Sequence, residues 1–224
     1  MPSTVKICGL STAETLDAAL DAGADMVGFV FFAKSPRFVG LDRARELAGR
    51  ARGRAKVVAL SVDADDAALG EIVTSVAPDL MQLHGKESPE RVEAIKRAFG
   101  VPAMKAVGVA EAGDLDRAAD YDGVADWLLI DAKPPKGAVL PGGNGLPFDW
   151  RLARRFAPSR PWLLSGGLDP ANVGEAIALT GARGVDVSSG VESAPGVKDI
   201  DKIKAFIAAA RAAFARRDET RSIA

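Results

Sequence analysis

The sequence predicts an α/β protein folded as one (β/α)₈ barrel, and three observations support this fold class. Short runs rich in Val, Ile, Leu and Phe recur at fairly even spacing along the 224 residues. Each run is followed by a turn and then by a longer, alanine- and charge-rich segment with helical periodicity. No linker or change of composition interrupts this alternation, and α/β barrels of this length fold as a single unit. We therefore expect one domain.

Eight apolar runs are the predicted strands. The main structural alternative is a doubly wound open sheet, which usually carries a glycine-rich dinucleotide motif or a P-loop after an early strand. Neither motif is present in the sequence, so a closed TIM barrel is favoured. In chain order, the predicted strands cover residues 5–8, 26–31, 57–62, 80–83, 103–107, 127–131, 162–165 and 184–187.

The segments between the strands contain recognisable helix-boundary signals. Residues 11–14, Ser-Thr-Ala-Glu, have the spacing of a capping box. Residues 88–89 (Ser-Pro) and 169–170 (Asp-Pro) each place a capping side chain before a proline at the first helical position. Gly23 and Gly100 stand where helices are expected to end.

The last helix is predicted over residues 199–217, where apolar residues alternate with Lys and Arg as they do in a helix that lies on a sheet. The barrel domain is therefore expected to cover residues 1–217. Residues 218–224 are expected to form a frayed tail.

The overall composition excludes several classes of partner. Lys and Arg total 29 against 30 for Asp and Glu, so the chain lacks the bulk positive charge that attracts nucleic acid or an acidic membrane. The single cysteine excludes an intramolecular disulfide, and the single histidine excludes a Cys/His zinc cluster. Because there is no signal peptide or transmembrane run, we expect a cytoplasmic protein, a monomer or weak homodimer, whose partner is a small molecule.

Polar residues concentrate where the predicted strands end, which is where barrels of this kind carry their chemistry. A lone cysteine is usually a small buried hydrophobe, yet Cys8 closes the first strand and so belongs to this polar set. The other members are residues 34–37 (Lys-Ser-Pro-Arg), Asp63, Gln82, His84, Asp131, residues 165–167 (Ser-Gly-Gly) and residues 188–190 (Ser-Ser-Gly).

Strand periodicity indicates which of these side chains share a face. Residues two apart on a strand point the same way, so Lys6 is grouped with Cys8, and Asp186 with Ser188. If these faces point inward, Lys6 and Asp186 can pair one layer below the mouth of the barrel. Lys6 would then favour the thiolate of Cys8, the form that acts as a base or nucleophile. A salt bridge that merely fills the barrel interior is the alternative.

Two glycine-rich loops after strands 7 and 8 predict a phosphate site. They read SGGLDPANV and SSGVES. Barrels commonly bind phosphate at this place through backbone N–H groups that glycine leaves exposed and through the N-terminus of a short helix. The predicted phosphate-binding residues are Gly166, Gly167, Ser188, Ser189 and Gly190.

The segment after Asp131 is long and has neither a helical nor a strand pattern. Structureless stretches of this length inside a domain are typically lids or binding loops. Residues 142–145, Gly-Gly-Asn-Gly, follow no strand directly and precede no Lys-Ser/Thr pair, so they are not a nucleotide loop. We expect residues 132–148 to form a mobile segment over the mouth.

Seven stretches of the sequence together carry a specific family resemblance. They run in order from near the start to about residue 200: VKICGL, GADMVGFVFFAKSPRFV, LMQLHGKES, LLIDAKPPKG, LPGGNGLPFDW, LSGGLDPANV and GVDVSSGVESAPGVKD. Lys-x-Cys-Gly on strand 1 combined with Asp-Ala-Lys-Pro-Pro-Lys-Gly after strand 6 is the most specific feature. The sequence resembles phosphoribosylanthranilate isomerase, the (β/α)₈ enzyme of tryptophan biosynthesis.

The resemblance implies an Amadori rearrangement of a phosphosugar, N-(5′-phosphoribosyl)anthranilate, to 1-(2-carboxyphenylamino)-1-deoxyribulose 5-phosphate, with no cofactor. By the same resemblance, Cys8 is the general base, Asp131 is the general acid and Arg37 holds the anthranilate end. The chemistry suits these residue types, because a protonated carboxylic acid can open the furanose ring and a thiolate can take the C2′ proton of the resulting Schiff base. Gln82 and His84 match the family's Gln-x-His-Gly motif and are expected to bind substrate, with a hydrogen-bonded structural role as the alternative for His84.

Three positions depart from the family pattern. Residues 32–33 are Phe-Ala where Tyr-Pro is common, Asp63 stands where asparagine is often found, and Ser165 stands where alanine is usual. Two other functions stay open. The sugar isomerase of histidine biosynthesis would carry an aspartate where Cys8 stands, and a non-catalytic phosphosugar-binding barrel would need the glycine-rich loops but neither Cys8 nor Asp131.

Overall fold

Parallel strands form the centre of the molecule. The computed structural model describes residues 3–133, 142 and 148–223. Its first eight strands are β1 (Thr4–Cys8), β2 (Met26–Val30), β3 (Lys56–Ser61), β4 (Leu80–Leu83), β5 (Ala103–Val109), β6 (Trp127–Ala132), β7 (Trp162–Leu164) and β8 (Gly184–Val187). Within the described residues, these eight pair in sequence order and β8 returns to β1 to close the barrel. The predicted (β/α)₈ fold is confirmed, with strand ends shifted by at most two residues.

Helices surround the barrel and connect successive strands. Their bounds are α1 (Ala13–Asp21), α2 (Leu41–Ala51), α3 (Asp66–Val76), α4 (Pro89–Phe99), α5 (Ala112–Ala119), α6 (Val173–Thr180) and α7 (Ile200–Ile223). A 3₁₀ helix, Trp150–Arg155, lies between β6 and β7, and a second, Ser189–Val191, follows β8. The chain then forms an antiparallel pair of short strands, β9 (Glu192–Ala194) and β10 (Val197–Lys198), before α7.

The predicted helix boundaries hold at both ends of α4 and at the end of α1, where Gly23 follows the C-cap with φ 89°, and shift elsewhere. The Ser88 hydroxyl accepts a hydrogen bond from the Arg91 N–H and caps α4, which ends at Gly100 with φ 65°. Helix α1 is capped by Thr12 instead of Ser11, because the Thr12 hydroxyl accepts from the Thr15 N–H. The predicted start of this helix was one residue too early.

The segment after β7 also enters its helix later than predicted. The Asp169 carboxylate accepts hydrogen bonds from the N–H groups of Ala171 and Asn172, at 2.8 and 2.9 Å. Asp169 therefore caps a preceding turn, and α6 itself begins at Val173. The prediction that Asp169-Pro170 opens the helix was wrong by one turn.

The C-terminal helix is longer than the sequence indicated. Helix α7 continues to Ile223, whereas the pattern predicted a frayed tail from residue 218. The sequence contains no Gly or Pro after Gly196, so nothing in the chain ends the helix at residue 217. The domain boundary itself stays a prediction.

Apolar side chains fill both the barrel interior and the space between strands and helices. Inside the barrel, the lower layers are formed by Met26, Val58, Leu80, Met104, Ala106, Leu129 and Leu163, while Cys8 packs with Val30 and Leu60 nearer the mouth. The larger clusters join the outer faces of the strands to the helices. Among the described residues, no helix combines the length and apolar character needed to cross a membrane.

Candidate active site

Cys8 and Asp131 occupy the carboxyl ends of two strands that are separated by two others. Cys8 ends β1 and Asp131 is the penultimate residue of β6, while β7 and β8 lie between them in the barrel. Both side chains are buried, with 4% and 6% of their residues' surface exposed. A molecule lying across the ends of β7 and β8 would have Cys8 on one side and Asp131 on the other.

The sulfur of Cys8 lies against the backbone of β2. Cys8 and Gly28 are Cα partners in neighbouring strands. A Cβ placed on Gly28 would lie 2.9 Å from Sγ of Cys8, which is closer than real side chains approach. Glycine at residue 28 therefore leaves the space that the cysteine side chain occupies.

A buried ion pair lies one layer below Cys8. The Lys6 Nζ is 2.7 Å from Oδ1 of Asp186, and the side chain of Lys6 is fully buried. Lys6 and Asp186 are Cα partners in β1 and β8, so the pairing predicted from strand alternation is confirmed. The Ser165 hydroxyl donates to the other carboxylate oxygen of Asp186 at 3.3 Å, which gives this departure from the family pattern a defined contact.

The net effect of this environment is to raise the pKa of Cys8, although Lys6 itself favours the thiolate as predicted. Burial raises the pKa of the Cys8 thiol; the positive charges of Lys6 and Lys198 oppose this rise, and the negative charge of Asp186 adds to it. Lys6 does act in the predicted direction, but Asp186 holds its ammonium at hydrogen-bond distance and offsets its charge. The predicted effect of Lys6 on the thiolate is therefore present in direction, but it does not outweigh burial.

Asp131 belongs to a short chain of polar side chains that begins on β4. The Gln82 Nε2 lies 2.9 Å from Nδ1 of His84, and Nε2 of His84 lies 3.3 Å from Oδ2 of Asp131. The other carboxylate oxygen, Oδ1, accepts a hydrogen bond from the Ala132 N–H at 2.8 Å. Oδ2 is thus the oxygen that faces His84, and His84 adjoins the predicted acid.

One described residue of the predicted lid lies beside this chain. A Cβ on Gly142 would come within 2.5 Å of Nε2 of His84 and 2.6 Å of Oδ2 of Asp131. The backbone at Gly142 therefore covers the predicted acid closely enough to exclude a side chain. Residues 134–141 and 143–147 of the predicted lid lie outside the described residues.

The loops after β7 and β8 pack against each other at the same edge of the barrel. Gly166 and Gly167 have φ 84° and 67°, the left-handed region that favours glycine. A Cβ on Gly190 would collide with the carbonyl oxygen of Leu168, so residue 190 needs to be glycine for the two loops to meet. The Asn172 side chain donates to the Gly167 carbonyl at 2.9 Å and holds the first loop in place.

Arg37 lies beside the turn that follows Cys8. A Cβ on Gly9 would lie 2.8 Å from Cδ of Arg37. The guanidinium donates two hydrogen bonds to Glu192, from Nε to Oε1 at 2.7 Å and from Nη2 to Oε2 at 2.9 Å. This bidentate geometry fixes the plane of the guanidinium.

Comparison with known proteins identifies the family. The family model described as N-(5′-phosphoribosyl)anthranilate (PRA) isomerase matches residues 5–209. The chain belongs to this family. An N-(5′-phosphoribosyl)anthranilate isomerase of Nitrobacter hamburgensis is 61% identical over 213 residues, which cover 95% of each chain.

Solved structures of the isomerase family share the barrel. A phosphoribosyl anthranilate isomerase from Thermotoga maritima has a TM-score of 0.83 and 37% identity, covering 94% of this chain and 99% of that one. A solved phosphoribosyl anthranilate isomerase in complex with reduced 1-(o-carboxyphenylamino)-1-deoxyribulose 5-phosphate has a TM-score of 0.80 and 36% identity over the same shares. Membership of this isomerase family favours it over the histidine-biosynthesis isomerase and the non-catalytic barrel.

The predicted catalytic and binding residues of this isomerase family member lie together at one end of the barrel. Asp63, in the loop after β3, instead contacts the neighbouring loop. Its exposed carboxylate accepts a hydrogen bond from the Lys86 N–H at 2.6 Å and so joins the loops after β3 and β4. Below it, the buried Lys105 Nζ is 2.9 Å from Oε2 of Glu87 and donates to the carbonyl of Gly85 at 2.8 Å. This pair holds the loop that carries His84.

Sequence reasoning missed two residues of the site, Glu192 and Lys198. Both stand in the stretch GVDVSSGVESAPGVKD that carries the family resemblance, but a charged residue after the last strand reads as solvated surface. The sequence did contain one signal that these residues belong to the site, because they follow the glycine-rich SSG turn by only two and eight residues. The structure buries both side chains next to Arg37 and Ser188.

Proposed function

We propose that this chain catalyses the Amadori rearrangement of N-(5′-phosphoribosyl)anthranilate to 1-(2-carboxyphenylamino)-1-deoxyribulose 5-phosphate in tryptophan biosynthesis. One observation carries the proposal. A cysteine on β1 and an aspartate on β6 flank two glycine-rich turns after β7 and β8, in a chain that belongs to the isomerase family. A phosphate held by those turns would place the ribose between the two side chains.

In the proposed first step, Asp131 is the general acid. A proton moves from Oδ2 of Asp131 to the ring oxygen of the ribose, the bond from that oxygen to C1′ breaks, and the nitrogen lone pair forms a protonated Schiff base with C1′. The Ala132 N–H donates to Oδ1, which leaves Oδ2 as the oxygen proposed to carry the proton.

In the proposed second step, Cys8 is the general base. Its thiolate takes the proton from C2′, the electrons of that bond form the C1′–C2′ double bond, and the Schiff base becomes an enolamine. Gain of a proton at C1′ and loss of the C2′ hydroxyl proton then give the aminoketone product. The reaction is redox-neutral and conserves all atoms, so we propose that it needs no cofactor.

The remaining site residues are proposed to bind the two ends of the substrate. Arg37 would receive the anthranilate carboxylate, for which its fixed guanidinium plane is suited. Gln82 and His84 would line the adjoining wall, and the phosphate would lie on Gly166, Gly167, Ser188, Ser189 and Gly190. A small phosphosugar is the proposed partner, with a cytoplasmic location and a monomeric or weakly dimeric state.

Turnover of the proposed substrate tests these roles. The fluorescence of phosphoribosylanthranilate is lost on rearrangement, so its decay reports kcat and KM for the wild type, Cys8→Ser and Asp131→Asn. Each substitution is expected to lower kcat by roughly 10²-fold or more, because each removes a proton-transfer group.

Asp63→Asn is the matched control, because it makes the same chemical change at another strand end whose side chain contacts the Lys86 backbone. It should keep the wild-type rate. A wild type that does not turn over the substrate would refute the proposed function. A Cys8→Ser or Asp131→Asn enzyme with nearly full activity would refute that residue's role alone.

A further inference from the structure

The hairpin that follows the barrel carries a buried charge cluster between two parts of the site. Strands β9 and β10 pair antiparallel, with Lys198 opposite Glu192. The two side chains are 2.8 Å apart, with 1% and 5% of the Lys198 and Glu192 side chains exposed. A charged pair buried this deeply contributes little net stability, because its desolvation offsets its attraction. Its contacts point to another role.

The first set of contacts fixes Arg37. Oε1 of Glu192 accepts from Nε of Arg37, and Oε2 accepts from Nη2. Oε2 also accepts from the backbone N–H of Gly196 at 3.2 Å, so the hairpin turn holds the carboxylate in the orientation that meets the guanidinium. A Cβ on Gly196 would collide with the Pro36 carbonyl oxygen, which shows that the hairpin packs directly on the segment bearing Arg37.

The second set of contacts fixes the loop after β8. Nζ of Lys198 donates to the carbonyl oxygen of Ser188 at 2.7 Å and lies 3.2 Å from its hydroxyl oxygen. The Ser188 hydroxyl in turn donates to the carbonyl of Cys8 at 3.2 Å. With its third bond to Glu192, the ammonium uses all three of its donors.

We propose that Glu192 and Lys198 are positioning residues, which set the guanidinium of Arg37 and the Ser188 turn at a fixed separation matched to the two ends of the substrate. Glu192 acts on the anthranilate end through Arg37. Lys198 acts on the phosphate end through Ser188. Neither residue needs to contact the substrate. The proposal rests on the proposed function, from which the identity of the two ends is taken.

The electrostatics of the cluster agree with this division. Burial would raise the pKa of Glu192, but the hydrogen bond from Arg37 and the charge of Lys198 outweigh it, and the net shift is downward. Glu192 is therefore a carboxylate whose charge is shared between two cations. Burial lowers the pKa of Lys198, and the charge and hydrogen bond of Glu192 oppose this shift.

The test uses two variants and two probes. Glu192→Gln and Lys198→Met are assayed for turnover of phosphoribosylanthranilate, with anthranilate and inorganic phosphate as separate inhibitors. Glu192→Gln should raise KM and the inhibition constant of anthranilate by roughly tenfold, since hydrogen bonds to charged groups are at stake. It should leave inhibition by phosphate near the wild-type value. Lys198→Met should show the reverse pattern.

In both variants KM is expected to change more than kcat, because the interactions lie away from the reacting atoms. A general loss of structure would weaken both inhibitors together and would not produce this crossed pattern. The matched controls are Glu93→Gln and Lys204→Met, which make the same changes at exposed positions of α4 and α7. Both controls should retain wild-type constants.

A double-mutant cycle tests whether Glu192 acts through Arg37. In an Arg37→Met background, Glu192→Gln should raise KM little further, because the guanidinium that Glu192 positions is already absent. If Glu192→Gln does not fold, the double variant Glu192→Gln with Lys198→Met replaces it. The double variant buries one cation without a carboxylate, whereas Glu192→Gln alone buries two, and its inhibition constants are measured in the same way. This double variant should weaken both inhibitors.

The outcomes separate the proposals. Equal weakening of both inhibitors by each single variant, unchanged constants in a single variant, or full additivity in the cycle would overturn the positioning role, while wild-type turnover would leave the proposed function standing. A double variant with wild-type inhibition constants would overturn the positioning role as well. Absence of wild-type turnover would instead overturn the function.

Discussion

The narrow space opposite Cys8 makes Gly28→Ala a direct test of how the sulfur is placed. A Cβ at residue 28 would lie 2.9 Å from Sγ, and ordinary contact begins at 3.4 Å. The sulfur or its strand must therefore move by about 0.5 Å, the difference between these two distances. The backbone at residue 28 is not in the left-handed region, so the conflict comes from the added methyl group alone.

The expected loss follows from this displacement. Misplacing a reacting group by about 1 Å can cost 10²-fold, so we expect kcat/KM to fall roughly tenfold. The crowding should also lower the free energy of unfolding by about 1–3 kcal/mol. Substrate fluorescence measures the first quantity and chemical denaturation measures the second.

Gly49→Ala supplies the control for the same added methyl group. Gly49 is exposed on α2, and a Cβ there would meet nothing within 4 Å. This substitution should leave kcat/KM unchanged and raise the stability by about 0.5–1 kcal/mol, because alanine is the better helix former. A Gly28→Ala enzyme with wild-type kcat/KM and stability would refute the argument that glycine at residue 28 positions the sulfur.

Three further predictions concern the buried charges. Lys6→Met should raise the pKa of Cys8 further and Asp186→Asn should lower it, because the two charges act on the thiol with opposite sign. Ultraviolet absorbance of the thiolate of this single cysteine measures both shifts, and shifts in the same direction would contradict the prediction. Lys105→Met leaves Glu87 buried without its cation and should lower the free energy of unfolding by about 3–5 kcal/mol. Exposed Lys86→Met should change it by less than about 0.5 kcal/mol, and equal denaturation midpoints for these two variants would show the prediction to be wrong. Because the pKa of Glu192 is lowered in the folded state, its contribution to stability is present above its unfolded pKa and is lost as the pH falls through the folded value. When the free energy of unfolding is measured against pH, Glu192→Gln should therefore lose less stability at acid pH than the wild type. A loss as steep as that of the wild type would contradict this prediction.

The sequence was sufficient to predict the features that depend on local periodicity. Strand runs and the turns between them are short-range patterns, and closure into a barrel follows from repeating one unit eight times. The Lys6–Asp186 pair was also predictable, because alternation sets the face of each side chain and barrel closure makes β1 and β8 neighbours. The helix starts at Ala13 and Val173 were not predictable, since neighbouring residues compete to cap and only the tertiary path of the chain chooses between them.

The rest of the site depends on contacts that no local pattern encodes. Arg37 and Glu192 are 155 positions apart, and they meet because the β9–β10 hairpin packs on the segment before Arg37. The net shift of the Cys8 pKa depends on how burial competes with three charged neighbours. Strand alternation can name two of these neighbours, Lys6 and Asp186, but it cannot weigh their effects against that of burial.

Buried ion pairs recur around the mouth in the part of the chain that the structure describes. Lys6 pairs with Asp186 below the predicted base, Arg37 and Lys198 share Glu192 beside it, and Lys105 pairs with Glu87 below the loop of His84.

Hydrophobic residues of similar volume would often stabilise a protein as well as such pairs do, so stability alone does not account for them. Each pair also makes a hydrogen bond to a further group at the mouth, which is the Ser165 hydroxyl, the Ser188 carbonyl or the Gly85 carbonyl. Burial is the main cause of the raised pKa of Cys8, and the charge of Asp186 adds to it against the opposing charges of Lys6 and Lys198. We therefore infer that these charges act chiefly by fixing the positions of groups around the mouth.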